Sequence, residues 1–124
     1  MVKGIGVDIV EIEEMKKAIE RSSNFINFAF TQKEIENGLN KNKYEYYASR
    51  FACKEAVFKA LAPLTDIKFE FRKIEILNHE DGSPYVNVDD YLDNILVNCD
   101  VNNLKLSLSH SSLNAVAFCV ASKD

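Results

Sequence analysis

The stretch YEYYASRFACKEAVFKALA, residues 44–62, predicts one long helix and guides the interpretation of the rest of the chain. The apolar residues on one face of this helix are Tyr47, Phe51, Phe58 and Ala62. Their spacing is that of a helix that packs against a core. Glu55 occupies the remaining position of the same face. A carboxylate on a buried face is costly unless it is paired, protonated or bound to a metal, so Glu55 is a candidate functional residue.

Three cations lie close to Glu55 in the sequence: Arg50, Lys54 and Lys59. They leave two interpretations open. One is a salt-bridged helix surface, because Glu55 and Lys59 have the four-residue spacing of an ordinary ion pair, worth only a few tenths of a kcal/mol. The other is a site for phosphate and a metal ion.

A second carboxylate interrupts an apolar strand near the start of the chain. The strand is predicted over residues 2–7, and Asp8 follows it within the run GIGVDIV. Asp8 and Glu55 are far apart in sequence but could converge on one cation. In the alternative interpretation Asp8 caps the next helix, with Glu11 as its partner three residues later.

Length and composition favour a single domain over residues 1–124. A chain of 124 residues that is 47% hydrophobic can bury roughly two thirds of its unfolded surface. Its net charge of -4 disfavours nucleic-acid binding, which usually needs a basic surface. No apolar run approaches the ~20 residues of a membrane span, and the acidic start is unlike a signal peptide. We therefore expect a cytoplasmic protein that binds neither nucleic acid nor membrane.

The three cysteines, Cys53, Cys99 and Cys119, are predicted to be core residues. They are widely spaced and match neither a zinc-ligand pair nor a CxxC redox motif. Each lies among apolar residues, which is typical of a small buried side chain in a reducing compartment.

The remaining pattern predicts an α+β fold, with an antiparallel sheet packed against the long helix and shorter helices. Besides the long helix, the expected helices are residues 10–22, a short one opened by the capping box TQKE at 31–34, and residues 89–98. The expected strands are residues 2–7, an apolar segment at 69–76 that pairs with residues 84–86 through an Asp81–Gly82 turn, a half-buried strand at 104–109, and a central strand at 115–121.

Three segments, taken in order, resemble motifs of the holo-acyl-carrier-protein synthases, the small 4'-phosphopantetheinyl transferases. They are GIGVDIVEI at residues 4–12, RFACKEAVFKA at 50–60 and LSLSHS at 106–111. FTQKEI at 30–35 and DGSPY at 81–85 are weaker matches. Together these segments extend over nearly the whole chain, and the resemblance implies the 4'-phosphopantetheinyl transferase fold.

The resemblance also implies a reaction. The serine hydroxyl of an apo acyl carrier protein attacks the β-phosphate of coenzyme A. Phosphopantetheine moves to the serine, and adenosine 3',5'-bisphosphate leaves. The enzyme is expected to depend on Mg²⁺, with Mn²⁺ as a possible substitute at a site of oxygen ligands. It is further expected to be a homotrimer with an active site in each subunit interface.

Roles for individual residues follow from the matched motifs. Asp8 and Glu55 would be the metal carboxylates, since Mg²⁺ is usually held by one or two carboxylates plus substrate phosphates. Lys59, one turn after Glu55, could neutralise a phosphate. Glu55, acting through a metal-bound water, is expected to take the serine proton. The residues assigned to coenzyme A are Arg50, Lys54, His110 and Ser111.

Two features depart from the family pattern. Relatives usually have a glycine in the turn after the long helix, where a backbone approaches the phosphates of coenzyme A. This chain has Pro63 and no glycine there, so no contact is assigned to that turn. Relatives also often carry arginines early in the first helix for an acidic carrier, whereas this chain has acidic residues. The predicted docking patch therefore lies further along the helix, at Lys16, Lys17 and Arg21.

Three hypotheses are carried forward. The first is a Mg²⁺-dependent phosphopantetheinyl transferase that acts on acyl carrier protein. The second is a catalytically silent module that binds coenzyme A or a carrier protein, which the changed turn after the helix would favour. The third is a structural α+β domain in which Asp8 and Glu55 are only capped or paired.

Overall fold

A long helix lies across a three-stranded sheet, and the other elements surround this pair. The structure is a computed structural model that describes residues 1–124. The strands are β1 (Val2–Glu11), β2 (Glu75–Asn78), β3 (Pro84–Asn87), β4 (Asn103–His110) and β5 (Asn114–Ser122). The helices are α1 (Ile12–Arg21), α2 (Phe25–Ala29), α3 (Gln32–Asn37), α4 (Lys43–Leu61) and α5 (Asp90–Cys99), with short 3₁₀ turns at Ala62–Leu64 and Phe71–Lys73.

The main sheet has the strand order β1-β5-β4, and both pairings are antiparallel. In this register Asp8 lies opposite Ala117, which in turn lies opposite Leu108. The pair β2-β3 forms a separate hairpin. The predicted α+β class, the central position of the last strand and the hairpin are therefore confirmed. The strand predicted over residues 69–76 begins only at Glu75, because residues 71–73 form a 3₁₀ turn, so the prediction is wrong for residues 69–74.

Two glycines let β1 approach the backbone of α4. A Cβ at Gly6 would lie 1.9 Å from the carbonyl oxygen of Ala56, and one at Gly4 would lie 2.2 Å from that of Ala60. Only glycine fits such an approach, since real Cβ atoms do not come this close to another atom. The alternation of a strand then places Asp8 on the same, helix-facing side as the glycines.

The buried face of α4 differs from the predicted one. The fully buried apolar positions of this helix are Ala48, Ala52, Cys53, Ala56, Val57, Ala60 and Leu61. By contrast Phe51, Glu55 and Phe58 are only partly buried. The prediction that Glu55 lies on the core face is therefore wrong. The close contact with β1 selects small residues where the strand crosses the helix, so Phe51 and Phe58 lie to the side of that contact.

Some local predictions are confirmed and one is wrong. Thr31 caps α3, and its capping box with Glu34 is complete. Strand β1 continues through Asp8 to Glu11, so Asp8 cannot cap α1. That alternative role for Asp8 is excluded by its position in the middle of a strand.

The core is apolar and includes all three cysteines. Cys53, Cys99 and Cys119 are buried and unpaired, as predicted. Burial raises the pKa of the Cys53 and Cys119 thiols to about 12. None of the helices is both long enough and apolar enough to span a membrane.

Candidate functional site

The fold brings Asp8, Glu55 and Lys59 together at the β1 edge of the sheet. The ammonium Nζ of Lys59 lies 2.9 Å from Oδ1 of Asp8 and donates a second hydrogen bond to the carbonyl oxygen of Val7, at 3.2 Å. Glu55 lies one helical turn before Lys59, and the charges of Asp8 and Lys59 both affect its pKa. Three residues from two motifs that are more than forty positions apart thus form one cluster, which we call the carboxylate cluster.

The carboxylate cluster has two carboxylates and one ammonium group, so it carries an excess of negative charge. Burial raises the pKa of Glu55, and the charge of Asp8 raises it further, while Lys59 opposes both effects. The hydrogen bond to Asp8 raises the pKa of Lys59, so its ammonium stays charged at neutral pH. Two adjacent carboxylates with one exposed counter-ion fit a hard divalent cation.

The cluster offers two protein ligands for such a cation. No group of three or more histidine, cysteine or carboxylate side chains comes together anywhere in the chain. Asp8 and Glu55 fit a cation such as Mg²⁺, which commonly has few protein ligands and takes water and substrate oxygens for the rest.

A second cluster lines a cleft of about 600 Å³ between the start of α4, the β2-β3 hairpin and the end of β4. Arg50 and His110 both face this cleft, as the sequence predicts. The Nε2 atom of His110 lies 3.3 Å from a carboxylate oxygen of Glu45. We call this feature the Arg50 cleft.

Arg50 is almost fully buried in the wall of the cleft, with 6% of its surface exposed. Its guanidinium carbon lies 4.7 Å from the centre of the Tyr46 ring, and its Nη2 donates a hydrogen bond to the side-chain oxygen of Asn78. Its Nε is buried without a hydrogen-bond partner. A buried cation with a free donor beside a cleft is suited to an anionic ligand.

The carboxylate cluster and the Arg50 cleft lie on different sides of the chain. Arg50 and Glu55 are five residues apart, which turns their side chains about 140° from each other around α4. Asp8 and His110 lie on the two outer strands of the sheet, with β5 between them. Two strand spacings amount to about 10 Å, so the two groups form separate clusters and are not in direct contact.

One predicted contact to coenzyme A is corrected. Lys54 has no exposed surface, and its Nζ is bonded to Oε1 of Glu34, at 2.6 Å, and to the carbonyl oxygen of Arg72, at 2.8 Å. It cannot reach a ligand from there. The hydroxyl oxygen of Ser111 accepts the backbone N–H groups of Leu113 and Asn114 in the turn before β5, and its contact to coenzyme A stays a prediction.

The buried partner of Lys54 was missed by the sequence reasoning. Glu34 was noticed only as the last residue of the capping box. Its position in the first turn of a very short helix does not indicate that its side chain pairs with a residue of α4, twenty positions later.

The three cations of the predicted docking patch lie on α1. Lys16 stands 5.8 Å from the centre of the Tyr44 ring, and Lys17 pairs with Glu14 at 3.5 Å. Arg21 is exposed in the last turn of the helix. This patch stays a prediction.

Known proteins resemble this chain over its whole length. The profile of the 4'-phosphopantetheinyl transferase superfamily, ACPS, matches residues 4–119. A holo-[acyl-carrier-protein] synthase of Clostridium botulinum is 47% identical over 122 residues, 97% of each chain. Its counterpart in Cytophaga hutchinsonii is 39% identical over 127 residues, with both chains fully covered.

Solved structures give the same result. The holo-[acyl-carrier-protein] synthase of Neisseria meningitidis superimposes with a TM-score of 0.89 at 30% identity, over 99% of this chain and 100% of the other. The Helicobacter pylori enzyme in complex with coenzyme A has a TM-score of 0.79 at 28% identity, over 95% of this chain and 99% of the other.

Proposed function

This chain belongs to the 4'-phosphopantetheinyl transferase superfamily, and on that basis we propose that it is a holo-[acyl-carrier-protein] synthase acting as a single domain. It transfers 4'-phosphopantetheine from coenzyme A to a serine of apo acyl carrier protein. The bond between the serine oxygen and the β-phosphorus forms, the bond from that phosphorus to the bridging oxygen breaks, and adenosine 3',5'-bisphosphate leaves. The observation that carries this proposal is the convergence of Asp8, Glu55 and Lys59 at one accessible edge.

Each residue of the carboxylate cluster has a part in the transfer. Asp8 and Glu55 would hold Mg²⁺, which supplies charge neutralisation at the pyrophosphate and orientation of the leaving group when bound. Lys59 adds a fixed positive charge for a phosphoryl oxygen, with its ammonium oriented by Asp8 and the Val7 carbonyl. Glu55 would take the serine proton through a water molecule held beside it.

Coenzyme A must reach both the carboxylate cluster and the Arg50 cleft in this proposal. Arg50 and His110 bind its 3'-phosphate end. Because the two features lie on opposite edges of the sheet, we infer that the carboxylate cluster of one subunit works with the Arg50 cleft of a neighbour.

The outer face of the sheet supports the homotrimer that such a site requires. Three side chains of β1 and one of β5 form an apolar surface on the side away from α4: Ile5, Val7, Ile9 and Phe118. They are 61%, 54%, 65% and 42% exposed in the single chain. An apolar patch of this kind is typical of an interface. A ring of three subunits would bury this apolar surface and bring the sheet edges of neighbouring subunits together.

The carrier protein completes the proposal. We assign its docking to Lys16, Lys17 and Arg21 on α1, because α1 directly follows the strand that carries Asp8. A patch of three cations fits an acidic carrier helix.

Intact-mass spectrometry tests the function. An apo acyl carrier protein is incubated with the protein, coenzyme A and Mg²⁺. We expect the carrier to gain one phosphopantetheine group, and Glu55→Ala to abolish the gain. Asp93→Ala, an exposed carboxylate change on α5, is the matched control and should leave the gain intact. Omitting Mg²⁺ in the presence of a chelator should also stop transfer.

A different result would favour the silent binding module. Pro63 follows α4 where the family has a glycine, and it has no N–H to offer a phosphate. If coenzyme A binds but no cognate carrier gains mass, the transferase proposal fails and the binding module replaces it.

A further inference from the structure

Glu34 is the only carboxylate of the chain that is fully buried. Its Oε1 accepts hydrogen bonds from the backbone N–H of Thr31, at 2.8 Å, and from Nζ of Lys54, at 2.6 Å. Its Oε2 accepts the backbone N–H of Ile76, at 2.8 Å. One side chain thus connects α3, the middle of α4 and the strand β2.

Both neighbours that hold the Arg50 guanidinium are connected to Glu34. The hydroxyl of Tyr46 donates to the carbonyl oxygen of Glu34, at 2.5 Å, and the Tyr46 ring lies against the guanidinium. On the other side, Asn78 accepts from Arg50 and lies two residues after Ile76 on β2. Glu34 therefore fixes the aromatic ring through its backbone and the strand through its side chain.

Arg50 depends on these neighbours for its orientation. Its Nε makes no hydrogen bond inside the protein, so the guanidinium is located by the ring contact and the bond to Asn78. If either neighbour moves, the guanidinium no longer keeps its position in the wall of the cleft.

The charge of Glu34 needs an explanation beyond stability. Burying an ion pair costs desolvation energy, and an apolar pair of similar size often stabilises a fold equally well. An apolar side chain cannot accept hydrogen bonds from three separate elements, whereas a carboxylate can. The nearby carboxylate of Glu75 accepts a hydrogen bond from the Thr31 hydroxyl, at 2.5 Å. Glu34 is therefore the carboxylate that pairs with the Lys54 ammonium.

We propose that Glu34 is a positioning residue that fixes Tyr46 and β2 so that the Arg50 guanidinium is held in the cleft for an anionic group of coenzyme A. The identity of that ligand rests on the proposed function. The geometric part of the proposal concerns only this chain.

Kinetics of Glu34→Gln test the proposal, with Thr31→Ala as the matched control. Thr31→Ala also weakens α3, because it removes the capping hydroxyl, and it frees the Glu75 carboxylate on β2 from its bond to that hydroxyl. It leaves the bonds from Glu34 to Lys54 and Ile76 in place. For Glu34→Gln we expect the KM for coenzyme A to rise about tenfold or more, while the KM for the carrier protein stays within about twofold. Thr31→Ala should leave both values near those of the unaltered protein.

A second readout does not depend on activity. The Arg50 Nε–H is buried, so its exchange with solvent, followed by ¹⁵N NMR and assigned with Arg50→Lys, should be slow. We expect exchange at least about tenfold faster in Glu34→Gln and unchanged in Thr31→Ala. If the unaltered protein transfers nothing, the proposed function fails, and this exchange still decides whether Glu34 positions Arg50.

Glu34→Gln leaves the Lys54 ammonium buried without a countercharge and can fail to fold. In that event Glu34→Gln/Lys54→Met replaces it, since methionine removes the unpaired charge at similar length. The proposal is overturned if a folded variant keeps the KM for coenzyme A and the slow Arg50 exchange. It is also overturned if Thr31→Ala changes both as much as the Glu34 variant does.

Discussion

Glu55 illustrates how the requirements of a site oppose those of the fold at a single residue. Its carboxylate is partly removed from water and lies near a second carboxylate, Asp8, and both effects raise its pKa. Only Lys59 compensates, and it is largely exposed. The ionised Glu55 carboxylate is therefore less stable in the folded protein than in the unfolded chain. A cation at the carboxylate cluster would relieve this cost, as expected of a residue kept for binding.

Replacing Glu55 by glutamine should stabilise the protein in the absence of divalent metal. The folded pKa lies above the ordinary value of 4.5, so in the window between them the folded state binds more protons. Stability then falls as the pH rises through that window. We expect Glu55→Gln to unfold at a higher temperature near neutral pH. The gain in the free energy of unfolding should be less than about 1 kcal/mol, because the Glu55 side chain is only partly buried.

Thermal unfolding followed by circular dichroism at several pH values checks this prediction. The advantage of Glu55→Gln should disappear below pH 4.5, where the native carboxyl is protonated in both states. An advantage that persists in acid, or a lower unfolding temperature at neutral pH, would mean that the Glu55 charge is stabilising.

The cysteines should be inert in the folded protein. Burial raises the pKa of Cys53 and Cys119 to about 12, so almost no thiolate is present at neutral pH, and both side chains are inaccessible. We expect no reaction with a thiol reagent such as dithionitrobenzoate in native buffer, and reaction of all three cysteines in denaturant. Rapid labelling of one native thiol would indicate local opening of the core.

Single residues differ in how well the sequence predicts them. Asp8 and Lys59 stand in motifs, and the fold brings them together as expected. The apolar spacing of α4 predicts that Glu55 faces the core, which is wrong, although Glu55 does belong to the carboxylate cluster. The pair of Glu34 and Lys54 was not predicted, because sequence spacing does not show which partner a buried charge finds across twenty residues.

At the scale of elements, the contact between β1 and α4 determines the geometry of the carboxylate cluster. Gly6 approaches the Ala56 carbonyl closely, Asp8 lies two residues after Gly6 on β1, and Glu55 directly precedes Ala56 on α4. The separation of the two carboxylates is therefore determined by one contact between backbones.

Gly6→Ala should disrupt this contact. Its Cβ would lie 1.9 Å from a carbonyl oxygen that cannot move without shifting α4, so we expect a loss of roughly 1–3 kcal/mol or more in urea unfolding. Transfer should fall as well, since the carboxylates separate.

Gly82→Ala is the comparison for Gly6→Ala. Gly82 has a φ of 90° and open space around it, so alanine there should cost only backbone strain, roughly 1 kcal/mol. The comparison is made on stability alone, because Gly82 lines the Arg50 cleft. Equal losses for the two variants would show that steric contact with α4 is unimportant.

Elements were predicted better than their packing. The capping box, the alternating strand β4 and the hairpin have local signals, and all three are confirmed. The prediction of the core face of α4 is wrong because it places the large residues Phe51 and Phe58 in the core. Close packing against glycine instead buries the alanines, and this depends on β1, which lies forty residues earlier.

At the scale of the whole molecule, the two halves of the proposed site lie on opposite edges of one sheet. In a closed ring each subunit then offers its carboxylate cluster to one neighbour and its Arg50 cleft to the other. Such an arrangement can be tested by mixing subunits that are damaged in different halves.

Glu55→Gln and Arg50→Gln should complement each other in mixed trimers. Each variant alone is expected to be strongly impaired. Coexpression in equal amounts should restore about a quarter of the sites, those in which an intact carboxylate cluster meets an intact Arg50 cleft. Steady-state transfer by the purified mixture measures this, and light scattering checks the trimer. A mixture as inactive as its components would place both halves in the same subunit.

The position of β5 between the two edges has a consequence for inheritance. A subunit with both edges damaged would spoil the site on each of its sides, including sites to which normal neighbours contribute their own intact halves. A gene copy encoding such a subunit would therefore suppress the product of a normal copy in the same cell. Damage to one edge alone would spoil a single site per subunit and would be largely recessive.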